Sequence, residues 1–164
     1  TRGIEVGHIF HFGQKYSLPM KATISDKMGE NTPVFMGSYG VGLSRLVGAA
    51  IEANHDQKGI IWPKEITPWD YNIINLKCGD TDCDRICLDM YNEMNHNAIK
   101  VLYDDTDDRA GAKLARADLI GLPYQIIIGP KGIKDQLYDL KCRKSGDISR
   151  LSYNELLNFV KTNK

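Results

Sequence analysis

The chain has 164 residues, of which 42% are hydrophobic and 26% are charged, and its 21 basic residues balance its 21 acidic ones. This composition is ordinary for a soluble globular protein, and the balanced charge gives no overall attraction to nucleic acid. Because no apolar run approaches the ~20 residues that a membrane span needs and no signal peptide is recognisable, we expect a cytoplasmic protein without membrane contact.

The charges are distributed unevenly along the chain. Residues 80–108 hold nine acidic and two basic residues, whereas residues 131–164 hold eight basic and four acidic ones. A basic end of this kind is compatible with a phosphate-binding surface, although most charge runs are simply solvated faces.

Four cysteines, Cys78, Cys83, Cys87 and Cys142, lack the partners of a metal site. Two of them lie at helical i, i+4 spacing, and no histidine follows at zinc-finger distance. We therefore expect free thiols and no protein-bound metal.

Residues 4–12 are rich in β-branched and aromatic side chains, which predicts a strand. Strict alternation would place His8, Phe10 and Phe12 on one face and Glu5 and His11 on the other. A bulge at Gly7 would turn Glu5 to the side of His8. Further along, short strands are predicted at residues 22–24 and 34–36, separated by a turn at residues 28–31.

A glycine-rich segment follows at residues 36–52. Gly40 and Gly42 precede a helical pattern whose apolar residues share one face: Leu43, Leu46, Val47, Ala50 and Ile51. Glycine admits a positive φ or a closely approaching flat ligand, and Arg45 on the first helical turn is a planar cation that can stack on a base or hold phosphate. This combination describes a nucleotide site. A glycine turn into a core helix is the structural alternative.

The segment from Trp62-Pro63 to Thr67-Pro68-Trp69-Asp70 loses all periodicity and predicts a linker, with a domain boundary near residue 68. Strands and helices then alternate, which favours a mainly parallel α/β sheet. Strands are predicted at residues 71–78, 100–103, 124–128 and 137–142, and helices at residues 81–95, 110–119 and 152–161, the last opened by a capping box at Ser152 and Glu155.

The acidic run at residues 104–108 lies where a strand ends and a helix begins. Carboxylates at such a place cap the helix N-terminus, and a divalent cation site is a second alternative. A third is ligand binding, because open α/β sheets bind ligands beyond the carboxyl ends of their strands. The turn at residues 129–132 places Lys131 at the same edge, and Arg143 and Lys144 follow on a hairpin.

Several segments resemble one family when taken together. Gly40-Val41-Gly42-Leu43-Ser44-Arg45 resembles motif 3 of the class II aminoacyl-tRNA synthetases. The prolyl-tRNA synthetases of bacterial type are similar over nearly all of the chain, at Glu5-Val6-Gly7-His8-Ile9-Phe10, Lys15-Tyr16-Ser17, Met20-Lys21-Ala22, Gly59-Ile60-Ile61-Trp62-Pro63, Asp104-Asp105, Arg109-Ala110-Gly111 and Gly121-Leu122-Pro123.

The resemblance implies a fold and two domains. Residues 1–68 would be the C-terminal part of an antiparallel class II catalytic core with an α+β fold. Residues 69–164 would be a mixed, mainly parallel α/β anticodon-binding domain. His11 and Gln14 stand where relatives usually carry glutamine and often carry threonine, so no role is assigned to them.

The resemblance also implies site residues in the first domain. Arg45 would be the catalytic residue and would bind ATP together with Glu5, His8, Gly40 and Gly42. Phe10 and Ser38 would line the proline pocket, where a small side chain suits a compact cyclic substrate. Without the family, both histidines would be ordinary sheet residues.

In the second domain the resemblance implies an anticodon reader. The anticodon for proline ends in two guanines, and carboxylates can accept hydrogen bonds from the amine and ring NH of an unpaired guanine. We expect Asp105 and Asp107 to do this and phosphates to be held by four basic residues: Arg109, Lys113, Lys131 and Arg143.

The implied reaction is ATP-dependent activation of proline followed by transfer to tRNA(Pro), with Mg²⁺ carried by ATP and a homodimer as the full-length enzyme. Motifs 1 and 2 are not found from Thr1 onward, so the chain by itself is expected to be inactive. Three alternatives remain: a synthetase of the same subclass for another amino acid, a non-catalytic tRNA-binding accessory protein, and an unrelated nucleotide-binding α/β protein.

Overall fold

The computed structural model describes residues 3–163, which form two compact units that divide between Ala50 and Ile51. The first unit contains short elements: β1 (Gly7–Gly13), α1 (Ser17–Met20), β2 (Thr23–Ser25), β3 (Asn31–Pro33), β4 (Met36–Val41) and the start of α2 (Leu43–Ala53). Two antiparallel pairs, β1 with β4 and β2 with β3, make its sheets.

The predicted alternation along β1 is present in the structure. His8 and Phe10 stack with their ring centroids 4.0 Å apart, and Phe10 stacks on Phe12 at 5.7 Å. His11 lies on the opposite face and stacks on Phe35. The bulge predicted at Gly7 is wrong, because Gly7 pairs in register with Val41 and the irregularity lies between His11 and Gly13.

The glycine-rich segment is a strand before it is a helix. Gly37 and Gly40 lie within β4, so the prediction of a strand that ends at residue 36 is wrong. Cross-strand hydrogen bonding to β1 outweighs the low strand preference of glycine here. The helix that follows is confirmed as α2, although none of its side chains is buried.

The second unit holds β5 (His55–Asp56), β6 (Gly59–Ile60), β7 (Tyr71–Asn75), α3 (Thr81–His96), β8 (Val101–Asp104), α4 (Ala110–Ile120), β9 (Tyr124–Ile128), α5 (Pro130–Asp135), β10 (Tyr138–Cys142), β11 (Ile148–Leu151) and α6 (Tyr153–Thr162). Five of these strands form a mixed sheet in the order β11-β10-β9-β7-β8. The pairings of β7 with β8 and with β9 are parallel, and the other two are antiparallel. The predicted mixed α/β class is confirmed.

The core of the second unit lies between this sheet and its helices. β7 is buried along its whole length, as expected for a parallel strand in the middle of a sheet. Buried side chains from two helices and four strands pack together: Tyr71, Ile73, Cys87, Met90, Met94, Val101, Ile126, Ile128, Leu140, Leu156 and Val160.

Helix ends follow local sequence signals where these exist. The capping box at the start of α6 is confirmed, with Ser152 Oγ accepting from Glu155 N and Glu155 Oε2 accepting from Ser152 N at 2.8 Å. Several short elements were missed: α1, β3, β5, β6, α5 and β11. Residues 129–132 were predicted as a turn, but Pro130 occupies the first turn of the short helix α5, where its missing N–H costs nothing.

The segment between the predicted domains packs with the second unit. Trp62 Nε1 donates to Ile120 O at 2.9 Å, and Trp62 N donates to Gly121 O at 3.2 Å. Gly121 has a φ of +77°, and a Cβ on it would overlap Ile60 O. Residues 51–69 therefore belong to the compact second unit, while a boundary between domain families at residue 68 remains a prediction.

Candidate functional site

Six of the seven residues predicted for the ATP site and proline pocket line one shallow depression of about 300 Å³ in the first unit. Residues from β1, from the segment before it, from β4 and from the start of α2 meet here. The six are Glu5, His8, Phe10, Gly40, Gly42 and Arg45. Ser38 does not line the depression, although it lies directly opposite Phe10 in the strand register.

Arg45 is held at the mouth of this depression by the segment that precedes β1. Its Nη1 donates to Glu5 O at 2.9 Å and lies 3.8 Å from Glu5 Oε1. His8 Nδ1 is 3.6 Å from the same carboxylate oxygen. All three side chains are more than half exposed, so a ligand could reach them.

Gly40 lies opposite His8 in the β1–β4 pair. Its φ is not positive, and a Cβ at this position would contact nothing within 4 Å. Neither backbone conformation nor internal packing therefore requires a glycine here. Close approach of an external group is the remaining physical reason for glycine at this position.

In the second unit, the acidic run forms a loop between the carboxyl end of β8 and the start of α4. The predicted capping role is wrong, because Arg109 is the N-cap of α4 and makes no side-chain cap bond. Two carboxylates are instead paired with Arg116, whose Nη1 donates to Asp108 Oδ2 at 2.7 Å and whose Nη2 donates to Asp104 Oδ2 at 2.8 Å.

These pairings change how the carboxylates ionise. Burial opposes ionisation of Asp104, but hydrogen bonds from Arg116 and Thr106 hold its pKa below the ordinary value. The hydrogen bond from Arg116 likewise lowers the pKa of Asp108. Asp105 and Asp107 are exposed and make no hydrogen bond or ion pair within residues 3–163.

Lys113, predicted to hold phosphate, is fully buried. Its Nζ donates to Asn75 O at 2.5 Å and to Thr106 O at 2.7 Å, and it lies 3.3 Å from Cys78 Sγ. A buried ammonium whose donors are used internally is not available to an external anion, so the structure gives Lys113 a structural role.

Arg143 was also predicted to hold phosphate, and its side chain is only 3% exposed. Its two terminal nitrogens donate to the two oxygens of Asp56 at 2.7 and 2.8 Å, and Nε donates to Asp118 O. This bidentate pair lowers the pKa of Asp56 and raises that of Arg143. Arg143 thus fixes the β5–β6 hairpin to β10.

The remaining predicted cations are accessible. Arg109 and Lys131 are exposed, and Lys131 lines a depression of about 540 Å³ that follows the carboxyl end of β9. Arg150 and Asp139 also line this depression, together with apolar side chains such as Leu76 and Ile127. Sequence reasoning missed Arg150, Arg116 and Thr106, because their relevance depends on contacts between residues that are not sequence neighbours.

Within residues 3–163, no group of three or more His, Cys, Asp or Glu side chains could hold a metal ion. No helix in that range is both long and apolar enough to cross a bilayer. The four cysteines are free, and burial raises the pKa of Cys83 to about 11 and that of Cys87 to about 12.

Comparison with known proteins gives consistent matches. The chain is 56% identical over 152 residues to a proline–tRNA ligase of Maricaulis maris, covering 93% of this chain and 34% of that protein. It is 53% identical over 164 residues to the proline–tRNA ligase of Caulobacter vibrioides, covering 100% of this chain and 37% of that protein. The ligase of Rhodospirillum rubrum is 55% identical over 157 residues. The chain spans about a third of the length of these relatives.

A protein-family match covers most of the second unit. The family model described as "Anticodon binding domain" matches residues 70–163, which include the five-stranded sheet, the acidic loop and α3 to α6. The match extends over more than half of the chain and agrees with the mixed α/β fold. The chain therefore belongs to the anticodon-binding domain family.

Proposed function

We propose that this chain is the C-terminal part of a proline–tRNA ligase and that its second unit reads the anticodon of tRNA(Pro). The acidic loop after β8 carries this proposal. It lies at the carboxyl end of a parallel strand inside the matched domain, and it offers two exposed, unpaired carboxylates, Asp105 and Asp107. Carboxylates accept hydrogen bonds from the amine and ring NH of unpaired guanine, and single-stranded RNA is read on such exposed base edges.

Arg109 and Lys131 are the cations proposed to hold the RNA backbone. Both are exposed, and each lies just after the carboxyl end of a sheet strand. The burial of Lys113 and Arg143 argues against a phosphate contact by either residue, so the proposal excludes them. In this proposal Asp105 and Asp107 specify the bases, and the two cations hold the RNA backbone by electrostatic attraction.

The experiment compares binding of the 164-residue chain to a tRNA(Pro) transcript and to one whose two anticodon guanines are changed, at fixed salt. Loss of binding on the order of ~1–3 kcal/mol per base, by analogy with mismatched DNA sites, is expected for an anticodon reader. Equal binding of both transcripts over a range of salt concentrations would contradict the proposal and leave only a charged surface.

We propose further that the first unit contributes to an ATP and proline site. The convergence of Glu5, His8, Phe10, Gly40 and Arg45 on one depression supports this. Arg45 would neutralise phosphate charge or stack on adenine, with Mg²⁺ carried by ATP, while Phe10 and Ser38 would border the proline. Such a reaction depends on positioning and charge stabilisation more than on side-chain acid–base chemistry.

In the reaction proposed for the whole protein, the proline carboxylate attacks the α-phosphate of ATP to give prolyl-adenylate and pyrophosphate. A terminal ribose hydroxyl of the tRNA then attacks the prolyl carbonyl, which forms the ester bond to the tRNA and releases AMP. A homodimer, a cytoplasmic location and a domain boundary at residue 68 belong to the same proposal. The chain spans about a third of its relatives, and we expect no proline-dependent ATP–pyrophosphate exchange from it alone.

A non-catalytic tRNA-binding protein is the second candidate, because the match of the anticodon-binding family lies wholly in the second unit. ATP binding by the full-length protein, with and without Arg45→Ala, separates the two. ATP binding that depends on Arg45 supports the ligase. No ATP binding in either form, together with retained tRNA binding, supports the accessory protein.

A further inference from the structure

One arginine that is not among the predicted site residues closes the acidic loop. Arg116 lies in the second turn of α4. It contacts Asp104, the last residue of β8, and Thr106 and Asp108, which lie in the loop. Its Nη2 donates to Asp104 Oδ2 at 2.8 Å and to Thr106 Oγ1 at 2.5 Å, and its Nη1 donates to Asp108 Oδ2 at 2.7 Å. A single guanidinium therefore spans the loop from end to end.

A second cation fixes the loop from inside. The buried Lys113 ammonium donates to Thr106 O at 2.7 Å, while Thr106 N and Oγ1 both donate to Asp104 Oδ1. Thr106, between the two unpaired aspartates, is thus held through its carbonyl, its amide and its hydroxyl. The backbone at this point has little freedom.

The same contacts divide the four carboxylates into two classes. Asp104 and Asp108 are paired with Arg116, and Asp104 also lies 3.6 Å from Lys113 Nζ, whereas Asp105 and Asp107 lie between them in sequence and make no hydrogen bond or ion pair in the described chain. Without Arg116, four carboxylates within five residues would repel one another, and all four would compete to accept hydrogen bonds from the same guanine.

We propose that Arg116 is a positioning residue for guanine recognition. It pairs with Asp104 and Asp108 and fixes the loop, so that Asp105 and Asp107 remain the acceptors for unpaired guanine. This inference rests on the proposed function of the second unit. Arg116 is proposed to act through the loop, because Asp104, Thr106 and Asp108 accept hydrogen bonds from its two terminal nitrogens.

Arginine suits this role better than lysine would. Its planar fork presents donors in fixed directions and can serve two carboxylates at once, whereas an ammonium on a flexible stem acts as a point charge. Arg116→Lys should therefore restore the charge but only part of the recognition. Such partial rescue would show that the planar geometry of the guanidinium contributes to recognition in addition to its positive charge.

The test measures the ratio of affinities for the native transcript and the guanine-changed transcript. In Arg116→Gln, this ratio should fall by at least about threefold, which is within the range of measured couplings between residues in one network. Asp105→Asn should lower the ratio in the parent chain but have little further effect in the Arg116→Gln background. The slope of log affinity against log salt should not change.

Arg85→Gln is the matched control. Arg85 is also paired with two aspartates, Asp82 and Asp89, on a helix surface of the same unit. Arg85→Gln removes one positive charge, as Arg116→Gln does, but leaves the contacts of the acidic loop intact. It should therefore leave the ratio of affinities for the two transcripts unchanged. If Arg116→Gln does not fold by circular dichroism, Thr106→Val, which removes the hydroxyl contact without changing charge, takes its place with the same expected result.

The outcomes are distinct. A parent chain that discriminates between the transcripts, with an Arg116→Gln variant that keeps the same ratio, overturns the inference and leaves the proposed function intact. If Arg116→Gln weakens binding to both transcripts equally and reduces the slope of log affinity against log salt by about one, Arg116 contacts a phosphate. That result also overturns the inference. A parent chain that does not discriminate removes the proposed function and this inference together.

Discussion

Lys113 shows why a cation's exposure decides its role. Its ammonium satisfies the carbonyls of Asn75 and Thr106 inside the fold, 3.6 Å from Asp104. Lys131 is exposed on α5, three residues after the end of β9, and has no such contacts within residues 3–163. The two lysines look alike in sequence but are expected to respond oppositely to substitution.

Lys113→Met should lower the free energy of unfolding by at least about 1–3 kcal/mol, because two buried carbonyls lose their donor. Lys131→Met should leave stability unchanged and reduce the salt slope of tRNA binding by about one. Urea denaturation and salt-dependent binding measure the two effects. A Lys113→Met variant of unchanged stability would contradict the structural role assigned here.

Asp56 gives the fold a pH dependence. Its carboxylate is paired to Arg143, which lowers its pKa below the ordinary value of an aspartate. A group with a depressed folded pKa stabilises the protein above its unfolded pKa of about 3.9, and that contribution is lost as the pH falls. Asp56→Asn should therefore melt below the parent chain at pH 7, and the gap should narrow below about pH 4.

Melting temperatures from pH 7 to pH 2 test this expectation. Asp105→Asn is the matched control, because Asp105 is exposed and lacks an ion-pair partner in the described chain. A gap between the parent and Asp56→Asn that is constant over the whole pH range would show that ionisation of Asp56 does not stabilise the fold.

At the scale of elements, two glycines join the β5–β6 hairpin to α4. A Cβ on Gly121, at a φ of +77°, would overlap Ile60 O, and a Cβ on Gly59 would lie 2.7 Å from Asp118 O. The hairpin and the end of α4 therefore touch backbone to backbone. Side-chain packing could not bring them this close.

Gly121→Ala should cost more than about 2 kcal/mol of unfolding free energy, since a left-handed conformation costs an alanine about 1–2 kcal/mol and overpacking adds about 1–3. Gly146→Ala is the control, because Gly146 also has a positive φ of +79° but open space around it. Gly146→Ala should lower the free energy of unfolding only by the about 1–2 kcal/mol that the left-handed conformation costs an alanine. Equal losses in the two variants would contradict the close contact.

Most elements were predictable because their signals are local. Apolar periodicity located α2, α3 and α4, and the capping box at Ser152 located the start of α6. α5 was missed because a six-residue helix that begins with Pro130 after Gly129 resembles a turn. The bulge in β1 and the glycines inside β4 depend on cross-strand pairing, which local sequence does not report.

The candidate sites were predictable to a smaller degree. The depression around Arg45 was expected because Glu5, His8 and Gly40 lie in segments that resemble one family. The burial of Lys113 and Arg143 could not be expected, since each depends on partners between 7 and 87 residues away. The pairing of Asp104 and Asp108 with Arg116 likewise requires the second turn of α4 to face the loop.

At the scale of the whole molecule, the two units differ in how much they bury. Among residues 3–163, seventeen hydrophobic residues are buried, and all of these belong to the second unit. In residues 3–50, Ser17 alone is buried, and the sheets there have only two strands each. Two-stranded sheets are marginally stable in water without further packing.

This contrast predicts the course of limited proteolysis of the 164-residue chain. Local opening requires less free energy where few apolar contacts form, so trypsin should cleave first after exposed basic residues of the first unit, such as Lys21, Lys27 and Arg45. A resistant fragment that contains residues 51–162 should remain, because the buried Lys113 and Arg143 are inaccessible until the second unit unfolds.

Mass spectrometry of the early products identifies the cleavage sites, and the same digestion in urea provides the control in which every basic site should be cut. Arg45→Gln should remove one early product without changing the resistant fragment. First cleavage within residues 71–162, or a first unit as resistant as the second, would show that residues 3–50 are stabilised by more than the contacts seen here. Such a result would also predict cooperative unfolding of the whole chain in a single transition.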